Sequence, residues 1–184
     1  MATTPTPSSP SVAHIGDRHT RIESPLGEIT LVARDYRLSG LYFPDQVRRP
    51  ADEVFGEQVD VATDPFLSEV AEQLARYFDG SREAFDVPLY LRGTPFRTRI
   101  WELLQHIPYG ARRTYAQLAA LAGSPGAAQS IGQAVGANPI SIIVPCHRVI
   151  GADGSLTGYA GGMWRKQFLL DLEDGVDGAA ARLL

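Results

Sequence analysis

Ile142-Ile143-Val144-Pro145-Cys146-His147-Arg148-Val149-Ile150-Gly151 holds the only cysteine in a chain of 184 residues. A lone cysteine is more often a small buried hydrophobe than a nucleophile. Three neighbours argue for reactivity. Pro145 removes a backbone donor and fixes the local turn. His147 can take or hold a thiol proton near neutral pH. Arg148 adds positive charge, which favours thiolate over thiol. A cysteine nucleophile needs a base within reach, and His147 is adjacent in sequence. The stretch by itself leaves both readings open.

Working outward, composition narrows the class. A hydrophobic fraction of 44% is ordinary for a globular chain with a real core. One cysteine excludes an intramolecular disulfide and a Cys-rich zinc site, and a free thiol suits a reducing compartment. No apolar run approaches the ~20 residues that span a bilayer. The N-terminus lacks an apolar signal core, so a cytoplasmic protein that does not engage membranes is expected. The net charge is −4, which by itself argues against a polyanionic partner. The charge is unevenly spread, however. Residues 1–92 carry 9 Arg against 15 Asp and Glu, a balance of −6; residues 93–184 carry 8 Arg and Lys against 6 acids, a balance of +2. Such asymmetry can mark the half that meets a polyanion.

Residues 1–17 are rich in Thr, Pro, Ser and Ala and read as a disordered tail. Short β-prone runs follow at Thr20–Ser24, Glu28–Arg34 and Leu38–Phe43, broken by Pro25-Leu26-Gly27 and Asp35-Tyr36-Arg37, the pattern of a three-strand meander. Another short strand is expected around Val59–Ala62. Asp64-Pro65 opens a helix with an acidic cap and proline at its first position. Its stripe of Leu67, Val70, Ala71, Leu74, Tyr77 and Phe78 would cover the sheet, with Gly80 as the stop. Phe85–Leu89 reads as one more extended strand. His14 and His19, in or beside the tail, have no partner pattern.

The second half turns helical. Thr94-Pro95 repeats the cap-plus-proline start, and Phe96, Ile100, Trp101, Leu103, Leu104 and Ile107 give a broad apolar face before Pro108-Tyr109-Gly110. His106 fits a surface histidine at the end of that helix. Thr114-Tyr115-Ala116-Gln117 is a capping box, and the helix it opens stops at Gly123. A second helix, expected from Gly126 to about Gly136, completes a helix-turn-helix pattern. Gly132 and Gly136 within it each cost about 1 kcal/mol against alanine; tight helix packing and close approach of a ligand are both compatible with them. Gly158-Tyr159-Ala160-Gly161-Gly162 exposes backbone N–H groups. Met163–Leu172 forms a last helix with Trp164, Phe168, Leu169 and Leu172 available for burial, ended by Glu173. The fold class is therefore α+β: a small N-terminal domain of antiparallel sheet plus helix (18–88), a linker (89–93), and a mostly helical C-terminal domain with the helix-turn-helix (94–174), followed by a flexible tail (175–184).

Pro145-Cys146-His147-Arg148-Val149 resembles the active-site motif of the methylated-DNA–protein-cysteine methyltransferases, the O6-alkylguanine-DNA alkyltransferases. Thr94-Pro95-Phe96, Ile107-Pro108-Tyr109-Gly110, Thr114-Tyr115-Ala116-Gln117-Leu118-Ala119, Gly136-Ala137-Asn138-Pro139 and Gly158-Tyr159-Ala160-Gly161-Gly162 match that family in order and spacing, and the similarity covers about residues 20–173. The resemblance implies DNA repair by irreversible transfer of the alkyl group of O6-alkylguanine, and of O4-alkylthymine, in double-stranded DNA to Cys146. The transfer would follow base flipping from the minor groove, with a monomeric protein and no cofactor or metal. A stacked base is out of reach of a protein nucleophile, so extrusion, at a few kcal/mol, fits the chemistry. By position, Cys146 would be the alkyl acceptor, His147 would deprotonate it through a bridging water, Glu173 would orient His147, and Asn138 would brace the loop. Tyr115 would help rotate the nucleotide and donate to the purine. Tyr159, Ala160 and Gly161 would line the base pocket, Val149 would offer its carbonyl to the exocyclic amine, and Arg148 would belong to the DNA-binding set.

One departure stands out. Where the family's recognition helix carries an arginine that fills the space of the flipped base, this chain has Gln129, which lacks the charge and the stacking guanidinium plane. Ser124 and Gly126 are also uncharged where lysine is frequent. Fewer cations near phosphates predict weaker, less salt-dependent binding. Two other classes compete with the transferase reading. A non-catalytic lesion binder would generally lack the cysteine, and a Cys-His hydrolase would leave the other blocks unexplained.

Overall fold

The computed structural model describes residues 16–175; the tails predicted at 1–17 and 175–184, and His14, lie almost wholly outside them. Strands β1 (Asp17–Ile22), β2 (Ile29–Arg34) and β3 (Arg37–Tyr42) form the expected antiparallel meander. The first strand begins earlier than its apolar pattern suggested. Asp17 belongs to β1, where its carboxylate pairs with Arg34 across the ladder. His19 is not a tail residue either: it is buried with its ring edge-on to Phe55 at 5.8 Å. The fourth strand, β4 (Glu57–Gln58), precedes the predicted position, runs parallel to β1, and gives the sheet the order β3-β2-β1-β4. Val61–Thr63 is instead a 3-10 turn capped by Asp60. Gly56 explains the shift. A Cβ there would lie 1.8 Å from the Asp17 carbonyl oxygen, so only glycine, at φ 77°, lets the chain come alongside β1 at this point.

Helix α1 (Pro65–Phe78) starts as predicted: Asp64 accepts from the Leu67 N–H at 2.9 Å and also pairs with Arg18 of β1. Leu67, Val70, Leu74 and Tyr77 join the same core as Leu31, Leu38 and Leu41. Phe85–Leu89 forms no strand of its own. It contributes a single bridge, in which Leu38 donates to the Pro88 carbonyl and accepts from Tyr90 N–H, each at 2.8 Å. Pro88 has no N–H with which to extend a ladder.

Beyond this segment come α2 (Pro95–Gln105), β5 (Arg113–Thr114), α3 (Tyr115–Leu121), α4 (Ala128–Gly136), β6 (Val149–Ile150) and α5 (Met163–Glu173). Thr94 caps α2, and the Thr114–Gln117 capping box is complete at the start of α3. Helix α4 begins two residues later than expected, because Gly126 adopts φ 89°, outside helical space. A Cβ added at Gly132 would meet the Tyr115 ring at an ordinary 3.7 Å, and one at Gly136 would meet open space. Neither glycine is therefore demanded by tight helix packing. Trp164, expected inside, is half exposed and stacks against the Arg165 guanidinium instead.

Two links bring the helical half to the cysteine. Parallel strands β5 and β6 pair Arg113 with Val149 and Thr114 with Ile150, tying the start of α3 to the residues just after Cys146. Leu41 of β3 bridges Ile140, so the N-terminal sheet also grips the approach to the cysteine. One continuous apolar core, from Leu26 through Leu104 to Leu169, runs beneath both halves.

Candidate active site

Cys146 begins a 3-10 turn, Cys146–Arg148, directly after Pro145. The approach is strained: Ile142 holds φ 69°, a left-handed conformation that costs a β-branched residue ~1–3 kcal/mol. The Ser141–Val144 backbone closes in short turns around it, with Ile143 N–H to Ser141 O at 2.8 Å and Val144 N–H to Ile140 O at 3.0 Å. Asn138 holds the result in place. Its Nδ2 lies within hydrogen-bond distance of Val144 O (2.8 Å), Ile140 O (3.2 Å) and Cys146 Sγ (3.1 Å), and its Oδ1 accepts from Ile140 N–H. The brace read from the sequence is thus also a direct donor to the sulfur.

His147 is fully buried. Its Nε2 donates to Glu173 Oε1 at 2.8 Å, while Nδ1 has no protein partner among the described residues. With the proton committed to Nε2, the free nitrogen of the neutral ring is a base. Burial holds the His147 pKa below its ordinary value despite the Glu173 carboxylate, so the ring is neutral at rest. Burial also pushes the Cys146 thiol up, opposed by the Asn138 hydrogen bond and the Lys166 charge. The resting cysteine is therefore a thiol, and its proton must leave as it reacts.

Glu173, at the end of α5, is far more than a helix-terminal acid. Burial would raise its pKa, but hydrogen bonds from His147 and Arg148 outweigh that and hold the carboxyl well below the usual range. Tyr77 of α1 donates to it at 2.8 Å and the Gly110 N–H at 3.0 Å. Arg148 forms a forked pair, its Nε at 2.9 Å and its Nη2 at 2.8 Å, and its Nη1 donates to Ile107 O. Here the geometry corrects the sequence reading. Arg148 is buried against Glu173 and Tyr109; it does not reach the open cleft where DNA-binding residues were expected, and it does not supply the charge beside the sulfur.

That charge comes from Lys166, which sequence reasoning passed over. Its fully buried ammonium donates to Val149 O at 2.6 Å and Thr157 O at 2.8 Å, and burial brings its pKa down to about 8. The signal was present: Lys166, Leu169, Leu170 and Glu173 fall on one helical face, and two charges on an apolar stripe announce buried partners. Val149 O, expected to meet a purine amine, is already engaged by Lys166, although a carbonyl retains a second lone pair.

A cleft of about 560 Å³ is lined by Tyr115, Gln129, Gly132, Thr157, Tyr159 and Ala160, and Tyr159 links it to Cys146. Tyr115 donates to Thr157 O at 3.3 Å. The Tyr159 hydroxyl is buried and makes no well-formed hydrogen bond among the described residues; burial raises its pKa and the nearby Cys146 adds to the rise, opposed by Ser141. Gly161 lies just behind the wall. A Cβ there would come within 2.6 Å of Phe43, and its carbonyl accepts from Arg165 at 2.7 Å. Of the predicted site residues, Cys146, His147, Glu173 and Asn138 thus form one buried group, and Tyr115, Gln129, Tyr159 and Ala160 one cleft. No cluster of three or more His, Cys, Asp or Glu side chains capable of holding a metal occurs among the described residues.

The match to known proteins spans both halves. Residues 18–91 match the 6-O-methylguanine DNA methyltransferase ribonuclease-like domain, and residues 95–175 match the DNA binding domain of the same family. The chain belongs to the 6-O-methylguanine DNA methyltransferase family. Relatives in it include the methylated-DNA–protein-cysteine methyltransferase of Mycolicibacterium paratuberculosis, 47% identical over 152 residues and covering 83% of this chain and 89% of the relative. The constitutive Bacillus subtilis enzyme is 41% identical over 156 residues, covering 84% and 94%. Among solved structures, Mycobacterium tuberculosis OGT in complex with DNA superposes with a TM-score of 0.82 at 44% identity, covering 91% of this chain and 99% of that one. The α+β architecture and its helical C-terminal half are those of this methyltransferase family. No helix among the described residues is long and apolar enough to cross a membrane.

Proposed function

We propose that this methyltransferase repairs double-stranded DNA by moving the alkyl group of O6-alkylguanine onto Cys146, once per protein molecule. The observation that carries the reading is the pair of contacts that flank the thiol, Asn138 Nδ2 at 3.1 Å from Cys146 Sγ and, on the next residue, His147 Nε2 bonded to Glu173 at 2.8 Å. A relay of thiol, neutral imidazole and ionised carboxylate, buried and otherwise bonded, suits one proton removal and one displacement.

In this reading the cleft receives a nucleotide rotated out through the minor groove, with Tyr115 leaving Thr157 to meet the purine and Tyr159 and Ala160 forming the wall. Cys146 Sγ attacks the alkyl carbon, the carbon–O6 bond breaks with its electrons passing to guanine, and the thiol proton passes to His147 Nδ1 through a water molecule. The departing base gains a proton or hydrogen bond, which eases its release. The imidazolium formed is stabilised by Glu173, which Tyr77, Gly110 and Arg148 hold in place. Lys166 adds a positive field beside the sulfur while tying Val149 to Thr157. The thioether left on Cys146 has no leaving group that would regenerate the thiol, so the protein is consumed. O4-alkylthymine presents the same alkyl–oxygen bond and belongs to the same reading, as do action as a monomer and a cytoplasmic location.

Stoichiometry tests it. Duplex carrying radiolabelled O6-methylguanine, supplied in excess, is expected to label the protein to one equivalent and then stop. Release of more than one equivalent of repaired base per protein would contradict single-use transfer, and tight binding with no label would favour a lesion marker.

A further inference from the structure

Gln129 leaves the recognition helix without a guanidinium, yet the cleft is not without one. Of the residues lining it, Arg48 alone is charged, and it comes from the N-terminal half. It stands in the loop between β3 and the 3-10 turn at Asp52–Val54. Arg49 N–H bonds to Gln46 O at 3.1 Å, which places Arg48 third in a four-residue turn, at φ 65°. A turn with positive φ at that position ordinarily takes glycine or asparagine. The loop is nevertheless firmly seated: Val47 N–H bonds to Ala160 O at 2.9 Å, Asp45 pairs with Arg165 at 2.6 Å, and Gln46 caps the Phe43 N–H. Its other basic residue, Arg49, is spent on Asp52 and Thr30. Arg48 is exposed and has no hydrogen bond or ion pair among the described residues. A neighbouring hollow of about 260 Å³ shares Val47, Arg48 and Gly136 with the cleft and continues to Arg97 of α2, its only other charged lining residue.

We propose that Arg48 is a phosphate anchor for the DNA strand entering the cleft, supplying from the N-terminal loop a cation that the recognition helix lacks at Gln129. This rests on the reading of the cleft as the duplex-binding face. A strained non-glycine residue persists where its surroundings over-determine it, and such positions gather at ligand clamps. A guanidinium presents a fixed fork of donors that matches a phosphate. Seated by the Val47–Ala160 bond against the wall that would contact the base, Arg48 couples the strand's backbone position to the base pocket. Arg97 extends the cationic edge along the next hollow.

The test compares Arg48→Gly and Arg48→Lys with the unaltered protein, using anisotropy of a short fluorescent duplex over a salt series and thermal melting in parallel. Glycine adopts the positive φ readily, so Arg48→Gly is expected to melt at the same temperature or higher. It should bind several-fold more weakly, with the slope of log K against log salt shallower by about 1. Arg48→Lys is expected to recover most of the slope. Equal affinity and slope for Arg48→Gly and the unaltered protein would overturn the proposal, as would an Arg48→Lys variant as defective as Arg48→Gly. If the unaltered protein fails to bind duplex at all, the DNA-binding reading falls instead.

Discussion

The cysteine group and the adjoining cleft are built on opposite terms. Behind the sulfur nearly every polar atom is bonded: Glu173 alone accepts from His147, Arg148, Tyr77 and Gly110, and two cations, Arg148 and Lys166, are taken out of water to complete the group. In the cleft, Tyr115 makes one long hydrogen bond, Gln129 is exposed, and a single charge stands at the rim. The chemistry needs one geometry held in advance, since preorganised dipoles and bases cost no rearrangement at the moment of reaction. On the proposed reading the cleft admits a large ligand and lets it leave, which suits polar groups that are lightly committed.

If that contrast is right, damage to the buried group should be severe and damage to the cleft graded. Glu173→Ala would leave Arg148 buried and unpaired, and breaking such a pair costs ~3–5 kcal/mol; a large fall in melting temperature with loss of transfer is expected, and a variant that melts normally would refute the over-determined centre. Glu173→Gln sharpens the same point through pH. The folded-state pKa of Glu173 lies below its unfolded value of 4.5, so its stabilisation is present above that pH and lost as pH falls below it. The unaltered protein should lose stability on acidification more steeply than the glutamine variant, as followed by denaturant midpoints. Parallel curves would contradict the assigned shift.

Tyr77→Phe removes one hydrogen bond to a carboxylate and is expected to cost ~1.5–3 kcal/mol, with slowed transfer because Glu173 is less firmly aimed. A rate probe separates two routes to the thiolate. Neutral His147 as the base predicts a transfer rate that changes little as pH falls from about 7.5 to about 7, because a pKa below the ordinary 6.5 keeps the ring mostly neutral there. A tenfold drop per pH unit would mean that the thiolate forms in a prior equilibrium. The smallest effect belongs to the cleft. Gln129→Arg should tighten duplex binding and steepen the salt slope by about 1; an unchanged slope would mean that residue 129 stays clear of the phosphates.

The same contrast explains what could be read from the residues. The Asp64-Pro65 helix start and the Thr114 capping box are patterns closed within a few residues, and both appear in the structure as read. Tyr77 appeared only as one more apolar position in a helical stripe, because its partner Glu173 is 96 residues away and hydroxyl partners are set by tertiary packing. Arg148, two residues after Cys146, suggested a charge beside the sulfur, but it turns with His147 to Glu173, while Lys166 approaches from α5. The short β4 was misplaced because its position depends on a glycine contact with Asp17 rather than on apolar alternation. Arg48 left no mark in composition. Only the fold shows that a loop from the acidic half overhangs the cleft of the basic one.

The most direct measurement is the intact mass of the protein after reaction with a duplex containing O6-methylguanine, followed by mass mapping of its peptides. The structure predicts a gain of one methyl group, carried on the peptide that contains Cys146 and absent from Cys146→Ser. A methyl group on any other residue, or repaired DNA with an unmodified Cys146, would contradict it.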